Sequence, residues 1–326
     1  MPMRSTRRGL GLRSMSRVRA VGRLDAMHDL RVAHQESAER VRNEMKRQPR
    51  ERRRRGIKVE LQVRDVEMLT ALARLRIART AEIAALCFPG VRKDTVASRL
   101  RVLFDAGYLD VTTADRTSPN LYSLGPRGRD VVREEGGQVW PVPRGGLAHH
   151  LAIVRTWVAL AATRIGGVRV ELARPDWELR AEFGDRGLPI VPDLFAVLMI
   201  QGVEVPFAVE VDLATEPLHV LRAKLRAYAE VLARPAGLFG WQDFGLGLAL
   251  GDDRRQAEIK ALIAREWDGW SLVWTLDEGP DRQLHGLIAE LQCPLTDSPC
   301  GQGRRSAVSA GGAMPALDER GGLSEE

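Results

Sequence analysis

The sequence predicts an α/β protein of two domains, a small helical domain that ends in a hairpin and a larger domain built on a mixed sheet. Three observations carry this prediction. Apolar residues recur at helical spacing between residues 61 and 105. Two β-rich runs, YLDVTT and LYSL, then flank a polar Ser-Pro-Asn turn, which is a hairpin signal. Beyond residue 147 helical and strand patterns alternate, as they do in α/β folds.

Three helices are expected in the first domain ahead of its hairpin. In LQVRDVEMLTALARLR one face is apolar, and it consists of Val66, Leu69, Leu72 and Ala73. Thr80 is the expected N-cap of a second helix, AEIAALCF, with Glu82 in its first turn. A third helix follows the Pro-Gly break at 89–90 and ends at Gly107. Its apolar face consists of Val96, Leu100, Leu103 and Phe104.

The order of three helices and two strands is that of a winged helix-turn-helix, expected here over residues 59–136. The phrases AGYLD and LYSLGPRGRDVV resemble winged-helix proteins. Pro126 opens the last helix of this region, at a position where proline is tolerated. The resemblance implies that the third helix enters the major groove of DNA and that the hairpin wing lies against the backbone. The alternative is a winged helix that serves protein contacts or dimerisation.

The polar positions of the third helix and of the wing suit DNA contact. Arginine can bridge O6 and N7 of guanine, and serine or threonine can reach a base or a phosphate. The candidate DNA-binding residues are Arg92, Lys93, Thr95, Ser98, Arg99, Arg116 and Asn120. Double-stranded DNA is therefore the expected partner.

The positive charge of the chain is concentrated at its N-terminus. The whole sequence of 326 residues has a net charge of +6. Residues 1–55 hold 17 basic and six acidic residues, which gives +11 and leaves −5 for the remainder. Blocks of like charge are usually disordered and often bind nucleic acid. We therefore expect a basic disordered arm over residues 1–58, the alternative being a solvated tail without a partner.

Several classes of protein are disfavoured by what the sequence lacks. No apolar run reaches the ~18 residues of a membrane span. The three cysteines form no C-x-x-C pair, so neither zinc nor a disulfide framework is expected, and a reducing cytoplasm fits best. The sequence contains no G-x-x-x-x-G-K-[ST] or H-E-x-x-H motif.

A Gly/Pro-rich linker at 137–146 separates the two domains, and the second domain is expected over residues 147–293. It opens with an amphipathic helix, LAHHLAIVRTWVALAATR, whose first turn holds His149 and His150. A histidine there is more often a cap or packing residue than a catalyst. VRVELA and, next to it, WELRAEF are interpreted as strands. The tail at 294–326 is Gly/Ser-rich and expected to be disordered.

Three carboxylates lie on two apolar runs of the second domain. Asp193 follows Pro192 at the head of one run, and Glu210 and Asp212 stand at i and i+2 of the next. Side chains at i and i+2 of a strand share a face, so pairing of the two runs would bring the carboxylates together. Oxygen ligands are what Mg²⁺ requires, and Asp193, Glu210 and Asp212 are the candidate metal ligands. The alternative is a turn and a solvated strand face.

These residues resemble the PD-(D/E)XK nuclease fold, as does the order α-β-β-β-α-β. The matching residues are Pro192-Asp193 and Glu210-Val211-Asp212. The resemblance implies that the acids hold Mg²⁺ and that a lysine orients the attacking water, but Asp212 stands at the lysine position. Lys224 on the following helix is the candidate replacement. The candidate catalytic residues are Asp193, Glu210, Asp212 and Lys224.

The joint pattern is similar to the replication-relaxation family of plasmids, phages and integrative elements. The matching residues are His149, Leu151, Pro192, Asp193, Glu210 to Asp212, Thr215, Glu216, Lys224 and Tyr228. The resemblance implies DNA binding in replication, DNA relaxation or mobilisation. Replication or mobilisation proteins are the other expected partners, and a homodimer is a further expectation. Two hypotheses stay open: a DNA-binding protein whose nuclease-like domain is a scaffold, and a Mg²⁺-dependent nuclease or nicking enzyme.

Overall fold

The computed structural model describes residues 54–113, 118–163, 165, 167–184 and 187–292. Nearly all of the predicted disordered arm and the whole of the predicted disordered tail lie outside these residues. Residues 111–121 belong to a compact unit separate from the remainder of the described chain. They are described by themselves: one strand ends at Thr112 and the next begins at Leu121.

The helical module, residues 54–136, follows the predicted order of elements. Its helices are α1 (Val63–Leu75), α2 (Thr80–Cys87), α3 (Lys93–Asp105) and α4 (Pro126–Glu134). Its strands are β1 (Ala78–Arg79), β2 (Leu109–Thr112) and β3 (Leu121–Leu124), in the sheet order β1-β3-β2. The short β1 is an addition to the two predicted strands.

Apolar spacing and carboxylate caps explain these helices. The four predicted apolar positions of α3 are all buried, which fixes this helix in the core of the module. In α1 the carboxylate of Asp65 accepts a hydrogen bond from the backbone N–H of Gln62 at 2.8 Å. In α2 Glu82 does the same for the N–H of Arg79 at 3.0 Å. Arg79 is therefore the N-cap of α2, and the predicted cap Thr80 is its first residue.

The boundary of the N-terminal arm needs correction. The backbone N–H of Gly56 donates to the carbonyl of Asp105 at 3.0 Å, and Arg54 forms an ion pair with Asp110. Both residues were predicted to lie in a disordered arm that extends to residue 58. These two contacts, one with the end of α3 and one with a residue of β2, hold this part of the chain on the helical module.

The sheet module, residues 147–292, has five helices and five strands in the part of the chain described. The helices are α5 (Leu147–Ala162), α6 (Asp176–Phe183), α7 (Leu218–Leu232), α8 (Gln256–Glu266) and, at the end, α9 (Asp281–Gln292). The strands are β4 (Val168–Pro175), β5 (Leu194–Ile200), β6 (Val203–Asp212), β7 (Gly245–Leu250) and β8 (Ser271–Thr275).

The predicted mixed sheet is confirmed, with the order β4-β5-β6-β7-β8. The first three strands are antiparallel neighbours, whereas β6, β7 and β8 run parallel. The α7 helix forms the crossover between β6 and β7 and packs Leu225 and Tyr228 against the sheet. Both parallel connections are helical, which is why β7 is apolar along its whole length. No helix in the described parts of the chain has the length and apolarity of a membrane span.

One predicted strand is wrong: WELRAEF belongs to the helix α6. Pro175 is the N-cap, and Asp176 and Glu178 lie in the first turn, where negative charge is favourable. The segment is rich in the helix-forming residues Glu, Leu, Arg and Ala. Trp177, Leu179 and Phe183 are buried.

The C-terminal end of α1 is bound to the sheet module through several side chains. Arg74 donates to both carboxylate oxygens of Glu178, at 2.9 and 2.8 Å, and its guanidinium lies 4.7 Å from the ring centroid of Trp157. Trp177 donates to the carbonyl of Arg74 at 3.1 Å. His150 donates to the carbonyl of Leu75 at 2.9 Å. The two modules therefore share a bonded contact at the end of α1.

Candidate functional site

Asp193 and Glu210 meet at one end of the β5–β6 pair. The antiparallel register pairs Leu194 with Val209, so Asp193, one residue before β5, stands opposite Glu210. One oxygen of Asp193 accepts a hydrogen bond from the backbone N–H of Val211 at 2.9 Å. This bond fixes the Asp193 carboxylate against β6, beside Glu210.

Glu210 is buried and bound by two side chains of α7. Lys224 Nζ lies 2.8 Å from Oε2 of Glu210, and the hydroxyl of Tyr228 donates to Oε1. Lys224 and Tyr228 are one helical turn apart, so both reach the same carboxylate from one face of α7. Lys224 also lies 3.6 Å from Glu216. An ion pair with Glu216 alone would have meant that Lys224 has only a surface role.

Burial and the negative charge of Asp193 raise the pKa of Glu210 to about 7. Burial acts to lower the pKa of Lys224, but the Glu210 carboxylate outweighs it and raises that pKa above its usual value. Burial, followed by Glu210, raises the pKa of Tyr228 as well. Lys224 is therefore the cation, and Tyr228 the neutral donor, of this cluster.

His149 in the first turn of α5 reaches the other carboxylate. Its Nε2 lies 3.1 Å from Oδ1 of Asp193, and its side chain is 41% exposed. The hydrogen bond to Asp193 raises the pKa of His149. The ring thus contacts the site, in contrast to the cap or packing role that is more usual for a histidine there. Its neighbour His150 does have a packing role, with its ring 4.6 Å from that of Trp177.

Asp212 does not join the two other carboxylates. One of its oxygens lies 3.5 Å from Arg255, and the other accepts from the backbone N–H of Ala214 at 2.8 Å. Asp212 is the last residue of β6, and the turn that follows directs its side chain to the loop before α8. The described residues contain no group of three acidic, histidine or cysteine side chains that suits a metal ion. The predicted three-carboxylate centre is therefore not formed.

The remaining pair, Asp193 and Glu210, is a weaker but acceptable fit to Mg²⁺. This ion is often held by one or two carboxylates, with water and phosphate oxygens as its other ligands. Each of the four oxygens already accepts one hydrogen bond from the protein, so a lone pair remains on each. The pair therefore has oxygen ligands of the right chemistry, with Lys224 and His149 as competing hydrogen-bond donors.

The candidate DNA-binding residues of α3 fall into two groups. Arg92, Lys93, Thr95 and Ser98 are exposed at the beginning of the helix. Arg99 is instead bound to buried Asp65 of α1, with Nε 2.9 Å from Oδ1, and it donates to the carbonyl of Glu60 at 3.2 Å. In the wing, Arg116 lies outside the described residues, and Asn120 directly precedes β3.

Two residues of the site, His149 and Tyr228, were not predicted from the sequence to contact its carboxylates. Tyr228 matches the family pattern but was not among the candidate catalytic residues, and its ring is fully buried. Its spacing of four residues from Lys224 was the available signal that both side chains could bind the same carboxylate. For His149 the match of His149 and Leu151 to the family pattern was the available signal, because His149 and Asp193 are 44 residues apart in the sequence.

Comparisons with known proteins support the family predicted from the motifs. The search of curated proteins gave no match. Among solved structures, one similar chain is the restriction endonuclease FokI bound to DNA, at 12% identity and a TM-score of 0.27 over 70% of this chain and 47% of that one. A similarity that low carries no argument about fold or activity. The replication-relaxation family model matches residues 69–240, more than half of the sequence and all of the site around Asp193 and Glu210. The chain therefore belongs to the replication-relaxation family.

Proposed function

We propose that the chain binds duplex DNA through the helical module, acting as a winged helix, in the replication or relaxation of a plasmid, phage or integrative element. The observation that carries this proposal is the exposed first turn of α3. Arg92 and Lys93 are exposed there, and within the described residues neither forms an ion pair. Membership of the replication-relaxation family supports the same role.

The packing of α3 suits a helix that contacts a groove. Its rear face is buried through residues such as Leu100 and Leu103, so the opposite face points outward. The bond between Arg99 and Asp65 fixes the helix to α1. Thr95 and Ser98 stand about one and two turns beyond Arg92 and offer hydroxyls to bases or phosphates. Homodimerisation and contacts with replication or mobilisation proteins remain expectations of this proposal.

A gel-shift titration of the double variant Arg92→Ala/Lys93→Ala tests the proposal. We expect weaker binding and a salt slope reduced by about 0.9 for each phosphate contact that is lost. The matched control is Lys260→Ala/Arg265→Ala, which removes the same charge from exposed positions of α8. Equal affinities of the wild type and the α3 variant would contradict DNA binding by this turn.

A second candidate function, a Mg²⁺-dependent nuclease or nicking enzyme, is favoured by the meeting of Asp193, Glu210 and Lys224. Asp193 and Glu210 would hold the ion, which when bound polarises a phosphate and activates water. Lys224 orients Glu210 and places a positive charge beside it, as the lysine of the motif would. Tyr228 holds the second oxygen of the same carboxylate.

Conversion of supercoiled plasmid to nicked or linear DNA separates the two candidates. The nuclease candidate predicts Mg²⁺-dependent conversion by the wild type and at least a hundredfold loss in Glu210→Gln, on the scale of removing a charge-stabilising group. Asp253→Asn, in an exposed loop, is the control and should cleave normally. Plasmid that stays supercoiled with the wild type leaves the DNA-binding scaffold as the function.

A further inference from the structure

A group of arginines surrounds the turn between α3 and β2, at the opposite end of α3 from Arg92. The members of this arginine cluster are Arg54, Arg55, Arg101, Arg127 and Arg129. They come from three places in the sequence: the segment before α1, the last turns of α3, and α4. The α3 helix has 13 residues, so the cluster lies about 20 Å from its first turn, at 1.5 Å per residue.

Two aspartates organise the cluster and do not neutralise it. Asp105 Oδ2 accepts from Nε of Arg101 at 3.1 Å and lies 3.9 Å from Arg55. Its side chain is only 6% exposed, so it lies beneath the guanidinium groups. Asp110 binds Arg54 through one oxygen, and its other oxygen lies 3.9 Å from Arg129. Five cations against two anions leave an excess of three positive charges.

Backbone carbonyls hold the guanidinium groups of Arg127 and Arg129 in place. Arg127 donates to the carbonyl of Ala106 at 2.9 Å and to the Tyr108 hydroxyl at 2.8 Å, and its guanidinium lies 4.4 Å from the Tyr108 ring centroid. Arg129 donates to the carbonyl of Leu124 at 2.7 Å. Arginine has five N–H donors, so each of these residues keeps donors for an outside acceptor. Because the groups are already ordered, an anion binds them at a lower entropic cost.

We propose that the arginine cluster is a second nucleic-acid site, which binds the sugar–phosphate backbone and reads no bases. Ordered guanidinium groups suit phosphate oxygens, which they bind through two parallel hydrogen bonds. The run of arginines at 52–55 leads directly into the cluster, and the preceding residues share its positive charge. A linear polyanion is the ligand that matches a charge continued along the chain. This inference rests on the proposed binding of DNA.

The test measures the binding of full-length protein to a duplex of arbitrary sequence as a function of salt. The variant Arg101→Gln/Arg127→Gln/Arg129→Gln should reduce the slope of log K against log [salt] by about 2 to 3, or roughly 0.9 for each contact. The control Arg169→Gln/Arg226→Gln/Arg254→Gln removes the same charge from arginines that also pair with acids, and it should keep the wild-type slope. Arg101→Lys/Arg127→Lys/Arg129→Lys, which keeps the charge, should retain most of the slope even where Gln disturbs folding.

The outcomes separate this proposal from the proposed function. If the cluster variant and its control have the same slope while Arg92→Ala/Lys93→Ala binds weakly, the cluster is overturned and the α3 site stands. A loss confined to the cluster variant supports the cluster and overturns the α3 site. No binding by the wild type, on either duplex or single-stranded DNA, overturns both.

Discussion

Charged groups are treated in opposite ways in the two modules. In the sheet module the buried Glu210 is bound by Lys224 and Tyr228, and Asp193 is bound by His149. In the helical module the first turn of α3 leaves Arg92 and Lys93 exposed. A buried charge must be compensated within the chain, whereas an exposed one is solvated and can bind an outside partner. The acid cluster therefore contributes to folding whether or not it has a catalytic role.

The same contrast exists within α3 itself. Arg92 is exposed, but Arg99, two turns later, is bound to Asp65, which is 1% exposed. Although burial acts to raise it, the bonds from Arg99 and from the Gln62 N–H hold the pKa of Asp65 below its usual range. Arg92 and Arg99 were both predicted to contact DNA, but their removal should affect stability and DNA binding differently.

The largest effect is expected for Lys224→Met, which leaves the buried Glu210 without its cation. Removing one partner of a buried pair costs about 3–5 kcal/mol, and we expect about 2–4 here because Lys224 is 31% exposed. Urea denaturation measures the loss. The double variant Glu210→Gln/Lys224→Met should recover part of it, because no buried charge is then left. Equal stabilities of Lys224→Met and the wild type would contradict the claim that Lys224 compensates the buried charge of Glu210.

Arg99→Met should cost about 2–3 kcal/mol, because it leaves Asp65 buried without its partner. Arg92→Met, at an exposed position of the same helix, should change the free energy of unfolding by less than about 0.5 kcal/mol. In DNA binding the order reverses: at a temperature where both variants are folded, Arg92→Met should lower the salt slope and Arg99→Met should not. If Arg99→Met lowers the slope with no loss of stability, Arg99 contacts DNA.

Helices and strands that depend on local apolar patterns could be predicted from the sequence. The apolar spacing of Val96, Leu100 and Leu103 was sufficient for α3, and continuous apolar runs were sufficient for the paired strands β5 and β6. Asp193 and Glu210 could be placed together because they lie on neighbouring strands. Lys224 could be placed nearby because the next helix crosses back over the sheet.

Contacts between distant elements could not be predicted. Arg99 and Asp65 are 34 residues apart on different helices, and no pattern in either helix reveals their pairing. The turn after β6 sends Asp212 to Arg255, although strand alternation places it on the face of Glu210. In α6 the alternation of apolar residues in WELRAEF favoured a strand, but helix-forming residues and a favourable first turn decided otherwise.

The contact between the modules should make stability depend on pH through His150. The pKa of His150 is lowered from 6.5 to about 4, chiefly by burial, which the hydrogen bond to Leu75 only partly offsets, and also by the charges of Arg76 and His149. The neutral ring is required in the folded state, so its contribution is present above pH 6.5 and is lost as the pH falls toward 4. Between pH 7.5 and 5 the loss should be about 2 kcal/mol.

His150→Phe removes this contribution, so its free energy of unfolding should fall less than that of the wild type over the same pH range. Comparing the two proteins cancels the opposite effect of His149, whose pKa is raised by Asp193. His219→Phe, at an exposed position of α7, is the matched control and should follow the wild-type curve. Parallel curves for wild type and His150→Phe would show that the ring is not held neutral at the end of α1.

The smallest effect concerns the difference between Asp193 and Asp212. Binding of Mg²⁺ to the folded state stabilises it by RT ln(1 + [Mg²⁺]/Kd), which is about 1 kcal/mol at 10 mM for a Kd of ~2 mM. Asp193→Asn should abolish this gain, because Asp193 and Glu210 are the converging pair. Asp212→Asn should keep it, since its carboxylate is bound to Arg255, and should cost less than about 1 kcal/mol by itself. Thermal melts with MgCl₂, with matched NaCl controls for ionic strength, distinguish the two variants.

Loss of the Mg²⁺ gain in Asp212→Asn would mean that Asp212 leaves Arg255 and turns toward Glu210 when the ion binds. No gain in the wild type would mean that Lys224 and His149 hold the carboxylates without an ion.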